Sequence, residues 1–199
     1  MNAVNGILML NNLFKEFRRA LLGGSFSYKT DAIVVLDFFD HAGTESIEIK
    51  ATNWENIART RYAAEIWRRC GGRPFFFLNG LSAALPYLKQ MALKEGIPPD
   101  KIRLLDNGAI GIGNSLTQFD LVANDLFLPD ESIFTFVSTS YHIPRLERIA
   151  AMRLPHRFKY GITGVPFSDF SYDMAVILGE IKRIFDYSEK GDIAKYPRK

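Results

Sequence analysis

The sequence predicts an α/β protein with a mostly parallel sheet of about five strands, covered by helices on both faces. Two observations carry this prediction. Short apolar runs rich in β-branched or aromatic residues alternate along the chain with longer segments whose apolar residues recur at helical spacing. The turns between these segments are short, so the repeated strand–helix–strand units are expected to pair in parallel and to pack their helices on the sheet.

The first third of the chain contains two predicted helices and two predicted strands. Apolar residues from position 8 to 21 recur at helical spacing, and two glycines at 23 and 24 end that helix. Residues 31–37 are a continuous apolar run bounded by aspartates, which predicts a buried parallel strand. Residues 46–50 alternate between polar and apolar and predict a small exposed strand. Asn53 is the predicted N-cap of a helix that ends at Gly71-Gly72.

The rest of the chain continues the alternation. Ser82 is predicted to cap the helix after the second core strand, Asn114 to open the helix after the third, and Pro144 to lie in the first turn of the helix after the fourth. The third strand is expected near an edge of the sheet. The predicted strands are residues 75–78, 101–105, 132–137 and 158–163, and a final helix covers 169–187.

Length and composition predict one folded unit. The chain has 199 residues, of which 47% are hydrophobic, enough for one domain with a substantial core. We assign residues 1–30 to an N-terminal helix packed on the domain, 31–190 to a single α/β domain and 191–199 to a mobile tail.

Composition also restricts the function classes. The net charge of +3 is small and scattered, so no nucleic-acid partner is expected. A single cysteine, Cys70, excludes an internal disulfide and a tetrathiolate zinc site, and the three histidines follow no metal-binding spacing. No apolar run approaches the roughly 20 residues of a spanning helix, and no signal peptide is evident. We therefore expect a cytoplasmic protein with no transmembrane segment and no metal site.

Candidate ligand-binding residues follow the predicted strands. In open α/β sheets, ligands bind beyond the carboxyl ends of the strands. The polar or small residues at these positions are Asp37 and His41 after the first strand, Asn79 and Gly80 after the second, Asn114 and Ser115 after the third, and Ser138, Thr139, Ser140, His142 and Arg145 after the fourth. Turn chemistry and helix caps would explain many of the same residue types.

The segment after the fourth strand is the most informative. Three hydroxyl residues lie between a buried strand and a helix start, where the helix dipole favours an anion. Arg145, about one turn into that helix, offers a planar fork for a carboxylate or phosphate. His142 is biased towards its neutral form by the helix start and is the candidate acid–base group if the protein is an enzyme. We expect this turn to face an open, solvent-reachable hollow.

A structural role for the same segment is the alternative. Ser140 would then cap the helix, Tyr141 would pack, and Arg145 would pair with Glu147 or Asp40. A Ser140–His142 nucleophile pair is a further alternative, although the sequence has no Gly-x-Ser-x-Gly elbow.

Three weaker patterns lie near the same edge. Asp37 and Asp40 could hold magnesium beside Thr139, or serve as a helix cap and an ion-pair partner. The glycines of residues 108–113 could approach a nucleotide closely, or form a flexible turn. Trp54 could line the cleft or pack in the core.

One segment resembles a known family. Thr139-Ser-Tyr-His-Ile-Pro-Arg145 is similar to the Thr-Ser-x-Tyr-His-Met-x-Arg signature of the YdcF/SanA/ElyC-like bacterial family of unknown function, with one residue fewer before the Tyr-His pair. The similarity covers roughly residues 31–165. The other similar segments are Asp31-Ala-Ile-Val-Val-Leu36, Arg61-Tyr-Ala-Ala-Glu-Ile-Trp67, Phe77-Leu-Asn-Gly80 and Lys94-Glu-Gly-Ile-Pro-Pro-Asp-Lys-Ile102.

The resemblance implies a three-layer Rossmann-like domain with a small-molecule site. Family members have been linked to S-adenosylmethionine binding and to envelope-related processes. This sequence has Asp37-Phe38 where the family has Gly-Gly, and Ala84 and Asn114 where the family has glutamates. The family's next Asn corresponds to Ser115. An activity that needs those carboxylates is in doubt, whereas a binding role survives.

The sequence thus predicts a protein that binds a small anionic or nucleotide-like ligand, with S-adenosylmethionine as the cofactor that the resemblance implies. Two alternatives stay open. One is an enzyme that acts on a phosphate- or glycan-containing cell-envelope precursor, and the other is a non-catalytic partner-binding module.

Overall fold

Five parallel strands form the centre of the fold. In chain order they are β1 (Ala32–Leu36), β2 (Phe75–Gly80), β3 (Ile102–Asp106), β4 (Ile133–Thr139) and β5 (Lys159–Val165). They lie side by side in the order β3-β2-β1-β4-β5, and each neighbouring pair is parallel. The computed structural model describes residues 3–20, 26–37, 46–108, 115–124, 129, 131–165 and 174–194.

Seven α-helices connect or cover these strands in the described ranges. They are α1 (Ala3–Ala20), α2 (Ile47–Ala51), α3 (Trp54–Arg69), α4 (Leu85–Lys94), α5 (Ser115–Ala123), α6 (Ile143–Arg153) and α7 (Met174–Lys190). Single 3-10 turns precede β3 (Pro99–Lys101) and α6 (Ser140–His142). None of these helices is both long enough and apolar enough to cross a membrane.

The central strands β2, β1 and β4 bury both faces, which explains their continuous apolar runs. Successive side chains of a strand point to opposite faces of the sheet. Ala32, Val34 and Leu36 belong to the core cluster that also takes in residues of α1, α5, α6 and α7. Ile33 and Val35 belong to the second cluster, with residues of α2, α3 and α4. The predicted three-layer, Rossmann-like α/β class is therefore confirmed.

The predicted ends of α3 are confirmed, whereas the strand predicted before it is wrong. Asn53 caps α3 by accepting the Asn56 N–H at 2.9 Å, and Gly71 and Gly72 end it with φ of +70°. Ser46 is the N-cap of α2 and residues 47–50 lie within that helix, because the Ser46 hydroxyl accepts the Ile49 N–H at 3.3 Å and starts a helical turn. Alternation over five residues is too short to exclude a helix.

Other differences concern helix starts. Ser82 does not cap α4: its hydroxyl donates to Asp106 Oδ1 at 2.5 Å, and the N-cap of α4 is Ala84. Asn114 lies outside the described residues, and α5 is described from Ser115. The final helix is described from Met174, and residues 169–173 of its predicted range lie outside the described residues.

Both ends of the described chain pack on the domain. Leu13, Phe17 and Ala20 of α1 are buried in the same core cluster as the sheet. Ile193, which the sequence places in the tail, is 2% exposed, and the Ala194 N–H donates to Arg148 O at 3.3 Å. Residues 195–199 lie outside the described ranges.

The order of the strands places the topological switch point of the sheet between β1 and β4. From β1 the chain moves through β2 to the edge strand β3, then returns past β1 to β4 and β5. The connections after β1 and β4 therefore leave in opposite directions along the sheet. In open α/β sheets this switch point is where ligands bind.

Candidate functional site

The predicted hydroxyl segment lies at this switch point. β4 ends at Thr139, beside β1, and the 3-10 turn of residues 140–142 leads directly into α6 with Pro144 in its first turn. Ser138, Thr139 and Ser140 are at most 2% exposed. The turn therefore directs its hydroxyls into the protein, whereas the sequence predicted an open hollow at this turn.

Close packing explains this burial. A Cβ on Gly164, in the neighbouring strand β5, would lie 2.6 Å from the Ser140 nitrogen and 2.7 Å from its Cα. A real side chain cannot approach backbone atoms so closely. Glycine at 164 therefore allows the turn after β4 to fold over β5.

A buried ion pair from α3 joins the ends of β1 and β4. Arg59 donates to Leu36 O at 2.7 Å and to Thr139 Oγ1 at 2.9 Å. One helical turn earlier, Glu55 accepts a hydrogen bond from Arg59 at 2.7 Å. The side chains of Glu55 and Arg59 are 7% and 2% exposed. The pair thus links the ends of β1 and β4 with its own charges neutralised.

Tyr141 completes this first cluster. Its hydroxyl donates to Glu55 Oε1 at 2.6 Å, and Thr139 Oγ1 donates to Glu55 Oε2 at 3.2 Å. Burial raises the pKa of Tyr141, and the nearby Glu55 carboxylate raises it further. Tyr141 therefore remains a protonated donor at neutral pH, and Thr139 and Tyr141 are bonded to groups of this chain.

His142, Arg145 and Ser115 meet in a second cluster. Arg145 Nη1 donates to Ser115 Oγ at 3.2 Å, and Arg145 Nη2 is 3.1 Å from His142 Nδ1. The third donor, Nε, bonds to Glu180 Oε2 of α7 at 2.7 Å. The structure thus brings together three predicted residues and adds a carboxylate that the sequence did not indicate. Glu147, the expected alternative partner, pairs instead with Arg19.

Burial and the paired charges together set the electrostatics of this cluster. His142 and Arg145 are 5% and 9% exposed, and Glu180 is completely buried. Burial lowers the pKa of His142 against the opposing effect of Glu180, and Arg145 lowers it further. Burial raises the pKa of Glu180, but His142 and Arg145 outweigh that effect and hold the pKa well below its usual range. At neutral pH the cluster therefore contains a neutral imidazole and a neutralised arginine–carboxylate pair.

A third cluster joins the ends of β1 and β2 to α5. Gln118 Nε2 donates to Asp37 Oδ1 at 2.9 Å and to Asn79 O at 3.0 Å, and Asn79 Nδ2 donates back to Gln118 O at 2.8 Å. A Cβ on Gly80 would lie 2.5 Å from Asp37 Oδ2, so glycine keeps room for that carboxylate. Asp37 and Asn79 thus hold α5 against the sheet, and Gly80 leaves space for the Asp37 carboxylate.

Three buried polar atoms at this edge have no hydrogen-bond partner among the described residues. They are Ser140 Oγ, Asn79 Oδ1 and Asn107 Oδ1. Buried polar atoms are usually satisfied, so each one is a point where a further group could bond. The unpartnered Ser140 hydroxyl also means that the Ser140–His142 nucleophile pair does not form in this structure.

The remaining predictions concern residues at the margin of the site or beyond it. His41, Asp40, Asn114 and most of the glycine loop of residues 108–113 lie outside the described residues. Trp54 is 50% exposed at the start of α3 and lines a surface groove of about 720 Å³. Within the described ranges, no three histidine, cysteine or acidic side chains are grouped so that they could hold a metal ion.

We missed a signal in the sequence for the buried ion pair, namely the apolar spacing along α3. The buried stripe of α3 contains Ala63, Ile66 and the capping Cys70, and its spacing extends back to Arg59 and Glu55. Charged residues in line with an apolar stripe are expected to be buried with a partner. Arg61, in the segment that resembles the family helix, is instead exposed and pairs with Glu95 at 3.1 Å. No comparable signal pointed to Glu180.

Comparison with family models, curated proteins and solved structures finds no match to this chain.

Proposed function

We propose that this protein binds a small anionic or nucleotide-like ligand at the carboxyl edge of the sheet, beside the switch point between β1 and β4. The observation that carries the proposal is the contact of Arg145 with His142 and Ser115, which come from the connections after two different strands. The rule that open α/β sheets bind ligands where the strand order reverses supports the same place.

Charge compensation favours the nucleotide-like part of this proposal over a strongly anionic ligand. Glu180 neutralises Arg145, and Glu55 neutralises Arg59. The described cluster would therefore recognise a ligand mainly through hydrogen bonds. S-adenosylmethionine is one such candidate, and its support is the resemblance of residues 139–145 to the family signature.

Mass spectrometry of the native, gently purified protein would test the proposal first. We expect a co-purified small molecule, or else saturable binding of S-adenosylmethionine, adenosine or AMP in calorimetry, with inorganic phosphate as the comparison. A captured molecule that changes chemically on incubation, and does not change with His142→Gln, would favour the enzyme alternative. Absence of both captured and added ligands would contradict the proposal and favour the partner-binding module.

Variants would then locate the site. Replacing Arg145 by Gln should weaken binding by about 5- to 150-fold, the range of about 1–3 kcal/mol for a lost charge-assisted hydrogen bond. Ser115→Ala is the milder variant, because it removes one acceptor of Arg145 and leaves the Glu180 pair in place. Arg61→Gln, on the exposed face of α3, is the matched control. Unchanged affinity in both site variants would exclude this cluster from the binding site.

A further inference from the structure

The contacts of Arg145 restrict where the proton of His142 lies. Arg145 Nη2 is 3.1 Å from His142 Nδ1. Every nitrogen of a guanidinium is a donor and none is an acceptor, so Nδ1 must be the acceptor in this contact. A neutral imidazole that accepts at Nδ1 carries its proton on Nε2.

Glu180 is the competing partner for the same ring nitrogen. Its Oε2 is 3.4 Å from Nδ1, so a proton on Nδ1 could point towards the carboxylate. That proton would lie against the hydrogens of Arg145 Nη2, which is closer. Oε2 also accepts the Arg145 Nε–H at 2.7 Å. The shorter contact and the clash between two donors favour the tautomer with its proton on Nε2.

Among the described residues, three helices supply the charged groups around this imidazole. Glu180 comes from α7, Arg145 from α6 and Arg59 from α3, while the Tyr141 ring lies 4.1 Å from the imidazole ring. Two cations and near-complete burial oppose a positive charge on the ring. The neutral tautomer is therefore the state that fits the surroundings.

Glu180 is itself held rigidly. It is completely buried, and Ile181 and Ile184 on the same helix pack into the core at 8% and 0% exposure. Its second oxygen accepts Arg183 Nη1 at 2.5 Å. A carboxylate fixed in this way can hold the Arg145 guanidinium in one orientation before any ligand arrives.

We propose that Glu180 is a positioning residue of the candidate site: it holds Arg145 against His142 and so keeps the imidazole as the neutral tautomer with its proton on Nε2. The consequence for ligand recognition rests on the proposed function. A ligand group that contacts the imidazole at Nε2 must then be a hydrogen-bond acceptor. The tautomer itself can be measured without a ligand.

Nitrogen NMR of ligand-free protein labelled at its three histidines tests this inference. His142→Gln identifies the signals of His142. In the wild-type protein we expect Nδ1 without a proton and Nε2 with one, and no protonation of the ring as the pH falls through the usual histidine pKa of about 6.5. A wild-type ring protonated on Nδ1 would overturn the proposal, even if every variant failed to fold.

The variants separate positioning from simple packing. In Arg145→Met the proton should move to Nδ1 and face Glu180, and in Glu180→Gln the ring should show a mixture of tautomers. Lys182→Gln, which removes an exposed charge on the same helix, should keep the wild-type pattern. A folded Glu180→Gln protein with an unchanged tautomer would refute the role of Glu180. These spectra are recorded without a ligand. The proposed function can therefore fail while the tautomer is as expected, and the tautomer can differ while a ligand still binds.

Discussion

Helix α3 contains two Glu–Arg pairs with the same spacing, and they allow a direct measurement of what burial contributes. Glu55–Arg59 is buried, with side chains 7% and 2% exposed. Glu65–Arg69 is also an i,i+4 pair, but its side chains are 47% and 53% exposed. The substitutions Glu55→Gln and Glu65→Gln remove the same charge from the same helix, and they differ mainly in surroundings.

The expected losses in the free energy of unfolding differ about tenfold. Glu55 accepts bonds from Arg59, Thr139 and Tyr141. The amide of Gln keeps one acceptor oxygen but leaves the buried Arg59 charge without its carboxylate. Removal of one partner of a buried pair typically costs about 3–5 kcal/mol. Removal of an exposed i,i+4 partner costs about 0.3–0.5 kcal/mol, which is the expectation for Glu65→Gln.

Urea unfolding measures both values. We expect a large decrease in the midpoint for Glu55→Gln and almost none for Glu65→Gln, with unchanged slopes. Adding Arg59→Met to Glu55→Gln should recover much of the loss, because no uncompensated charge then remains buried. A loss below about 1 kcal/mol for Glu55→Gln would show that this pair behaves like a surface pair, and would refute its role in joining β1 to β4.

Two further predictions concern the turn after β4. Gly164→Ala should lower the free energy of unfolding by about 1–3 kcal/mol, because the added Cβ would contact the backbone of Ser140. Gly179→Ala is the control: a Cβ there meets open space, so the substitution should be neutral or stabilising in the same urea assay. The lowered pKa of His142 means that the unfolded chain binds more protons below about pH 6.5, so stability should fall with pH there. His142→Gln should remove this part of the decrease in the urea midpoint between pH 7 and pH 5. His156→Gln, at an exposed position, is the control and should keep the wild-type decrease. The same dependence of the midpoint on pH in the wild type and both variants would contradict a buried neutral imidazole.

Local patterns were sufficient for the main elements of the fold. The apolar run in β1 predicts a buried strand and the glycines after α3 predict a helix end, each from a few neighbouring residues. The structure confirms both predictions. The contact between His142 and Arg145 has the same origin, because residues three apart at a helix start share one face. The alternation over residues 46–50 was too short to support the strand prediction. The Ser46 hydroxyl caps a short helix there instead.

The sequence by itself determined the α/β class, the strands and the segment that follows β4, because hydrophobic period and turn chemistry are local properties of a chain. Only the tertiary structure decided the partners of that segment. Glu55 lies 84 residues from Thr139 and Glu180 lies 35 residues from Arg145, and no local pattern predicts contacts over such separations. The burial of these carboxylates and their arginines depends on how α3 and α7 pack against the sheet, and that packing sets the charge and the hydrogen bonding of the site.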